Sequence, residues 1–360
     1  MATEWKKVKL GETFTVKKGQ AITKRESKEG PYPVILGGRE PAYFIDRFNH
    51  EGKAIVVSRS GASAGYVSFW NEPIFITDGF LIEPNNDVCY EYIYYLMKNN
   101  QSRFIGSQKG AAIPHVTPAL LSDIDILLPP LETQQKIAGI LSAYDDLIEN
   151  NRKQIKLLEE AAQKLYKEWF VKLNFPGHEN VKILDGVPEG WKKEKLGNLL
   201  PIVTGKKDAN YGTKDGKYPF FTCSQEPIKA PDFSFDANAI LLAGNGDLNV
   251  KIYRGQFEAY QRTYVLVPYE NKYLFICYRT IQDNLRKLVH GASGSTIKFI
   301  TKGMIENIEM LIPNDEILLS YNNLSEPVLS KIEVLQSQIQ HLQSARDKLL
   351  PTLMKGDIDV

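Results

Sequence analysis

Hydrophobic residues recur mostly at alternating three- and four-residue steps in two long stretches of the chain. The first stretch places at these steps Ile137, Ile140, Tyr144, Ile148, Asn151, Ile155, Leu158, Ala162, Leu165 and Trp169. The second stretch places there Val328, Ile332, Leu335, Ile339, Leu342 and Leu349. This is the a/d spacing of a coiled-coil seam, so the pattern predicts two long helices that pair side by side. Asn151 on the first seam is either a register-setting polar position or a contact to a partner subunit.

A proline boundary precedes each of these helices. The first helix begins within "LPPLETQQKI", which starts at Leu128, and the second begins within "IPNDEILLSY", which starts at Ile312. Proline is tolerated before or in the first turn of a helix but not in its interior. We expect the first helix to end near Asn174 and the second to be kinked or ended at Pro351. At ~1.5 Å per residue, each helix of about forty residues would be ~60 Å long.

Short runs of β-branched and aromatic residues fill the regions before the helices. The runs "KAIVVSR", "PIFIT" and "GFLIEP" in the first half, and "ANAILLAGNG" and "YQRTYVLVP" in the second, predict strands. Each half also contains a shorter helical stretch, "CYEYIYYLMKNNQSRF" or "KYLFICYRTIQDNLRKLV". The aromatic residues of the first of these stretches are core positions or, alternatively, stacking platforms for bases: Tyr92, Tyr94 and Tyr95.

The chain repeats itself with a shift of 184 to 186 residues. "EWKKVKLGE" from Glu4 returns as "GWKKEKLGN" from Gly190, and "GAAIPHVTPALLSDIDILLP" from Gly110 returns as "GSTIKFITKGMIENIEMLIP" from Gly294. The order of domain, helix, domain, helix is most simply satisfied by an antiparallel helix pair with pseudo-two-fold symmetry. The expected segments are 1–128 (first domain), 129–174 (first long helix), 175–190 (linker), 191–312 (second domain) and 313–360 (second long helix).

Composition narrows the classes of function. The 360 residues carry 44 Lys and Arg against 43 Asp and Glu, so a basic surface has to be local. The three cysteines lack metal-site or disulfide spacing, and no stretch resembles a membrane span or a signal peptide. These features favour a soluble cytoplasmic protein without a membrane partner.

No common catalytic motif is present, and the five histidines do not cluster in sequence. The enzyme alternative is a metal-dependent nuclease, because Pro231-Asp232 and Glu270-Asn271-Lys272 fit a loose PD…(D/E)xK pattern whose carboxylates would bind Mg²⁺. The other alternative is a coiled-coil scaffold that does not bind DNA.

Matched basic and polar loops in the two halves favour DNA binding instead. Lys and Arg bind phosphates, and Arg, Lys, Asn, Gln and His also reach base edges. The candidates in the first domain are Lys17, Lys18, Gln20, Arg39, Arg59, Ser60, Lys109 and His115. The candidates in the second domain are Lys206, Lys207, Asn210, Asn245, Asn249, Arg262 and Lys298. The candidates for helix pairing or partner contact are Ile137, Tyr144, Ile148, Asn151, Ile155, Leu158, Val328, Ile332, Leu335, Ile339 and Leu342.

The motifs in this layout resemble those of the specificity (S) subunits of type I restriction-modification systems. The resemblance covers the whole chain and rests on "LPPLETQQKIAGILSAYDDLIENNRKQIKLLEEAAQKLYKEWF", on the repeated "WKK" openings and on the terminal "LLPTLMKGDI". It implies a mixed α/β (α+β) fold with two similar target-recognition domains joined by two long antiparallel coiled-coil helices. Because the second helix lacks the "PPLETQQKI" motif, its first turns are expected to differ from those of the first helix.

The same resemblance implies a non-catalytic subunit that binds no cofactor itself. Each domain would read one half of a split, asymmetric double-stranded DNA site, and the coiled coil would set the spacer. Two methyltransferase (M) subunits and restriction (R) subunits would be the protein partners. S-adenosylmethionine, ATP and Mg²⁺ would be used by those partners.

Overall fold

The computed structural model describes residues 5–23, 25, 28–38, 40–106, 115–291, 299–358 and 360. The chain forms two compact units, one of Met1–Lys153 with Gln336–Val360 and the other of Gln154–Leu335. Both long helices contribute to both units.

The first unit places a sheet-rich domain against parts of the two long helices. Its elements are β1 (Lys6–Lys9), β2 (Phe14–Lys18), β3 (Tyr32–Ile35), β4 (Tyr43–Ile45), β5 (Lys53–Ser58), β6 (Val67–Asn71), β7 (Phe75–Ile76), β8 (Gly79–Pro84), α1 (Tyr90–Gly106), α2 (Pro118–Ser122), β9 (Asp125–Leu128) and the start of α3 (Leu131–Tyr166). The sheets are β2–β8–β5–β6, β4–β3–β7 and the pair β1–β9. β5 is buried from Ala54 to Ser58, which its unbroken apolar run predicts.

The second unit repeats this order of elements. It contains β10 (Ile183–Leu184), β11 (Val187–Pro188), β12 (Lys192–Lys195), β13 (Ile202–Thr204), β14 (Tyr218–Phe221), β15 (Ile228–Ala230), β16 (Phe235–Ala243), β17 (Val250–Ala259), β18 (Thr263–Leu266), α4 (Leu274–Gly291), α5 (Lys302–Glu306), β19 (Glu309–Ile312) and part of α6 (Asp315–Lys355). Its main sheet is β13–β18–β16–β17–β14–β15, and β12 pairs with β19 as β1 pairs with β9. The predicted mixed α/β fold with two similar domains is confirmed.

One strand differs between the repeats for a local reason. β17 runs unbroken over ten residues, whereas its counterpart is divided into β6 and β7 around Pro73. Proline has no N–H to donate to a strand ladder, so it interrupts the strand. Asn49 compensates, because its side-chain amide donates to the Ile76 carbonyl and accepts from the Ile76 N–H, both at 2.8 Å.

Each domain core includes the start of one long helix and the end of the other. In the first unit, Ile137 and Leu141 from α3 share a core with Leu350 and Leu353 from α6. In the second unit the corresponding residues are aromatic, and the ring of Phe170 lies 4.8 Å from that of Tyr321, edge to face. The aromatic tyrosines of α1 are core residues rather than stacking platforms, since Tyr92 and Tyr95 are buried.

Polar residues fix the antiparallel register of the helices in the first unit. Asn151 is buried and donates to Gln338 Oε1 at 3.2 Å. Asp145 accepts hydrogen bonds from Arg346 of α6 and, at 2.7 Å, from the hydroxyl of Tyr95 in α1. As the residue number rises along α3, that of its partner on α6 falls.

The structure places the remaining seam candidates at different depths. Ile148, Ile332 and Leu335 are buried, whereas the half-buried ones are Tyr144, Ile155, Leu158, Val328, Ile339 and Leu342. Ile140 is 37% exposed and Leu141 is fully buried in its stead. A strict heptad drifts around a straight helix with 3.6 residues per turn, which accounts for this shift.

The two long helices end close to the positions expected from the sequence. α6 continues past Pro351 to Lys355, so that proline does not end the helix. α3 ends at Tyr166 as an α-helix and is followed by a wider turn of helix over Lys167–Val171. The first turn of α6 is ordered, because the side-chain oxygen of Asn314 accepts from the Ile317 N–H at 3.0 Å.

The first helix is anchored by a glutamine in its opening motif. Gln134 is 2% exposed, donates to the Pro129 carbonyl at 2.8 Å and accepts from the Cys89 N–H at 2.9 Å. These bonds tie the first turn of α3 to the residue that precedes α1. A leucine, Leu318, stands at the corresponding position of α6, so the two helices begin differently.

Glu159 on α3 gives a pH-dependent prediction. Burial raises the pKa of its carboxyl, and the charge of Arg279 opposes that rise. When the pKa of a carboxyl is higher in the folded than in the unfolded state, the folded protein loses stability as pH rises from the unfolded-state pKa to the folded-state pKa. We therefore expect Glu159→Gln to raise the thermal midpoint at neutral pH and to have no effect in acid, where the glutamate is protonated. The matched control is Glu160→Gln, an exposed neighbour; an equal gain in both variants would contradict the prediction.

Candidate nucleic-acid interface

Several predicted DNA-contact residues of the first domain meet at one edge of the β2–β8–β5–β6 sheet. Arg59 and Ser60 follow β5, and Asp78 directly precedes β8. The Arg59 N–H donates to the Asp78 carbonyl at 3.2 Å, and the Arg59 carbonyl accepts from the Val116 N–H at 2.8 Å. Ser60 forms a β-bridge with His115. Gln20, Arg59, Ser60, Asp78 and His115 together form the first corner.

Asp78 holds the side chain of Arg59 in place. Arg59 Nε donates to Asp78 Oδ1 at 2.7 Å, and Ser60 Oγ donates to Asp78 Oδ2. The Arg59 side chain is 27% exposed and that of Asp78 is 20% exposed. Neither η nitrogen of Arg59 forms a hydrogen bond with a described residue. The first corner therefore presents a fixed guanidinium whose η nitrogens have no partner among the described residues.

The second domain builds the same backbone frame one repeat later. Gly244, which follows β16, donates its N–H to the Arg262 carbonyl at 2.8 Å and accepts from the Ile300 N–H at 2.9 Å. Asn245 forms a β-bridge with Phe299. Each of these residues stands 184 or 185 positions after its counterpart in the first domain. The term "second corner" is used for Lys206, Gly244, Asn245, Arg262 and Phe299.

The two corners carry their arginine on different strands. In the first corner the arginine follows β5 and an aspartate precedes β8. In the second corner Gly244 occupies the place of Arg59, and Arg262 occupies the place of Asp78. The Arg262 side chain is exposed and makes no ion pair with a described residue. One backbone frame thus displays two different sets of side chains.

In each domain a glycine lets the loop beside the corner lie close to the neighbouring strands. Gly19 and Gly205 follow β2 and β13, and each donates its N–H to the first residue of the adjacent strand, at 3.0 and 3.2 Å. A β carbon on Gly205 would lie 1.9 Å from the Ala259 carbonyl oxygen. Only glycine permits this close contact, which positions the next residue at the corner: Gln20 in the first and Lys206 in the second.

A family model described as the type I restriction modification DNA specificity domain matches residues 2–160 and again residues 188–357. The chain belongs to this family. The family predicted from the sequence is confirmed, and with it the expectation of a specificity subunit rather than a catalytic one.

Curated relatives carry related names. The MjaIX specificity subunit of a type I restriction enzyme from Methanocaldococcus jannaschii is 29% identical over 344 residues, covering 86% of this chain and 78% of the relative. The EcoDI specificity subunit from Escherichia coli is 36% identical over 176 residues, or 48% of this chain and 39% of the relative. A crystal structure of the S subunit of a type I restriction-modification system from M. genitalium shares the fold, with a TM-score of 0.62 and 18% identity over 100% of this chain and 97% of that one.

In the second specificity domain, the loop after Gly205 keeps its basic residues at the surface. Lys207 pairs with Tyr260 through a parallel β-bridge, and its Nζ lies 4.2 Å from the ring centre of Tyr211. Asn210 is exposed in the short turn of helix beside it. The backbone of Lys207 is thus held beside Tyr260, two residues before Arg262 of the second corner.

Asn249, a predicted DNA contact, is buried instead. Its side chain is 8% exposed, and its Nδ2 donates to the carbonyls of Cys223 at 3.1 Å and Asp247 at 2.6 Å. Its Oδ1 accepts from the ammonium of Lys251. These bonds shape the turn between β16 and β17 and leave the amide inaccessible to DNA.

The other candidates differ in their surroundings. Lys17 is paired with Glu83 at 2.8 Å, which compensates its charge, whereas Lys18 is exposed and makes no ion pair with a described residue. The Oδ1 of Asn245 accepts a weak hydrogen bond from the Cys223 thiol at 3.0 Å. The candidates outside the described residues are Arg39, Lys109 and Lys298.

Sequence reasoning missed Asp78, Gly19 and Gly205. The sequence does contain a signal for Asp78, because it stands 184 positions before Arg262 in the repeat. Gly19 and Gly205 likewise occupy equivalent positions. Comparing the repeats position by position would have singled out all three.

The nuclease alternative gains no support from the placement of its motif. Lys272 forms ion pairs with Glu270 at 3.2 Å and with Asp315 at 3.0 Å, and Asp232 accepts from the Phe233 N–H. Within the described part of the chain, no three His, Cys, Asp or Glu side chains gather into a group that could hold a metal ion. None of the described helices has the length and apolar character needed to cross a bilayer.

Proposed function

We propose that each domain of this chain reads one half of a split, asymmetric double-stranded DNA site through its corner. The observation that supports this most directly is the common backbone frame with exchanged side chains. A shared frame gives both domains the same approach to a duplex, and different side chains give them different base preferences. Two domains of one chain would then read two unlike half-sites.

The chemistry of the corners suits DNA. Exposed cations without a described acidic partner, such as Lys18, Lys206 and Arg262, can bind phosphates. Polar groups such as the Asn245 amide can bond base edges. The formal charge of the whole chain is only +1, so binding depends on these local groups.

We further propose that the helix pair sets the spacer and binds two methyltransferase subunits. Apolar side chains outside the helix seams are exposed, and a partner helix would bury them: Leu147, Leu157, Leu319, Leu324 and Val334. Restriction subunits would join the same complex. S-adenosylmethionine, ATP and Mg²⁺ would then belong to the partner subunits.

The expected result of Arg262→Ala is a change in one half-site only. The chain would be assembled with its methyltransferase subunits, and bound sequences would be selected from a random duplex library. Loss of a base contact should cost ~1–3 kcal/mol at one base pair of the second half-site, and loss of a phosphate contact should lower the salt slope by ~1. The first half-site should be unchanged.

Lys193→Ala is the matched control, because this exposed cation of the second unit is paired with Glu309 on β19, outside the corner. It should leave both half-sites and the salt slope as they are. A complex that selects no sequence at all would favour the scaffold alternative. Equal effects of both substitutions would rule out the corner as the reading surface.

A further inference from the structure

We propose that Arg59 reads a guanine in the major groove and that Asp78 is the residue that positions it for this contact. The inference rests on the proposed function, since it assumes that the first corner faces DNA. It adds the base that is read and a positioning residue that no motif identifies.

The geometry fixes the guanidinium at both ends of the side chain. The Arg59 backbone is bonded to the Asp78 carbonyl at 3.2 Å, and Arg59 Nε is bonded to Asp78 Oδ1 at 2.7 Å. Ser60 in turn holds Oδ2 of the same carboxylate. Because a guanidinium is planar, fixing Nε also fixes the plane of the two η nitrogens. Those nitrogens form no hydrogen bond with a described residue, so two neighbouring acceptors can bind them.

Guanine is the base that offers such a pair of acceptors. Its O6 and N7 lie side by side in the major groove, and Arg binds them through two parallel hydrogen bonds. Adenine presents N7 beside an amino donor, which would face an arginine donor without a partner. The arrangement therefore discriminates between the two purines.

A phosphate is the other common ligand of arginine, and the carboxylate disfavours it. Asp78 places negative charge 2.7 Å from Arg59 Nε, which reduces the attraction for a phosphate and repels it directly. A neutral base edge is not repelled in this way. In the second corner Arg262 has no described acidic partner, so this argument does not extend to it, and the proposal concerns the first half-site only.

The test compares the DNA preferences of wild type, Arg59→Ala and Asp78→Asn in the complex with the methyltransferase subunits. Selection from a random duplex library with wild type should yield a guanine in the half-site of the first domain. Arg59→Ala should reduce the preference for that guanine about 10- to 100-fold and leave the other half-site intact. Asp78→Asn should relax the same position while steepening the salt dependence, because it frees an arginine for phosphates. A purely structural role of Asp78 would not steepen the salt dependence.

Base analogues test the same contact in the wild-type protein, so misfolding of a variant cannot obscure the wild-type result. Replacing the selected guanine by 7-deazaguanine removes N7 and should weaken binding of wild type about tenfold or more, whereas Arg59→Ala should be insensitive. Inosine keeps O6 and N7 but lacks the minor-groove amino group, and it should bind as guanine does.

The outcomes separate this inference from the proposed function. A uniform loss of affinity across all sequences in Arg59→Ala, with a shallower salt slope, would make Arg59 a phosphate contact and overturn the inference alone. Unchanged sequence preference, affinity and salt slope after substitution of both Arg59 and Arg262 would overturn both. Equal binding of guanine and 7-deazaguanine by wild type would also refute the guanine contact.

Discussion

Gly205→Ala is expected to destabilise the second unit by ~3 kcal/mol and to abolish recognition of the second half-site. The φ angle of Gly205 lies outside the left-handed region, so the backbone conformation itself admits alanine. The obstacle is contact, because the added β carbon would lie 1.9 Å from the carbonyl oxygen of Ala259 and 2.6 Å from that of Tyr260. Both obstacles are backbone atoms, which no side-chain rotation can move. Either the strand end or the loop must shift, and the loop carries Lys206 and Lys207.

Hydrogen exchange measured by mass spectrometry would resolve this effect by unit. Peptides covering β13, β17 and β18 should exchange faster in Gly205→Ala, whereas those of the first unit should not change. Gly303→Ala is the matched control in the same unit, because a β carbon there meets no atom within 4 Å. It lies in the helix α5 and should be neutral or stabilising by up to about 1 kcal/mol. Equal exchange in the two variants would show that the close contact does not constrain the loop.

Asp145→Ala is expected to cost ~3 kcal/mol of folding free energy in the first unit. Asp145 joins three helices, since it accepts from Tyr95 of α1 and from Arg346 of α6 while lying on α3. Tyr95 is 4% exposed, so its buried hydroxyl would lose its hydrogen-bond acceptor. The guanidinium of Arg346 is mostly buried as well and would lose its closest acid.

Asp347→Ala provides the control, because Asp347 pairs with the same arginine at 2.7 Å but its side chain is 63% exposed. An exposed ion pair contributes ~1 kcal/mol or less. Denaturant unfolding should therefore rank wild type, Asp347→Ala and Asp145→Ala in order of falling stability. Similar losses in the two variants would mean that burial of the Asp145 network does not set its contribution. Asp145→Asn, which keeps an acceptor for Tyr95, should fall between Asp145→Ala and wild type.

The repeat made much of the fold predictable. β8 covers "GFLIEP" from Gly79 to Pro84, as expected. α1 begins at Tyr90, one residue after the start of the predicted helical stretch. These elements were accessible because their periodicity depends on local sequence. Of the two expected effects of Pro351, a kink or an end, the structure excludes the end, because Leu350, Leu353 and Met354 keep the last turns of α6 packed in the first core.

The candidate site was only partly predictable. Arg59, Ser60 and His115 are candidates by residue type, and the structure brings all three to one corner. Asn249 has the same residue type as exposed candidates, yet it is buried in a turn. Residue type does not determine burial, so polar side chains that shape a loop cannot be separated by sequence from those that face a ligand.

By itself the sequence determined the family, the duplication and the paired helices, since each is a pattern of residues along the chain. Only the tertiary structure decided how the charges are used. It pairs Arg59 with Asp78 across two strands and leaves Arg262 without a described acidic partner at the equivalent place. The reason is physical: an ion pair depends on the distance between two atoms, and the sheet brings together residues that lie 19 positions apart in sequence.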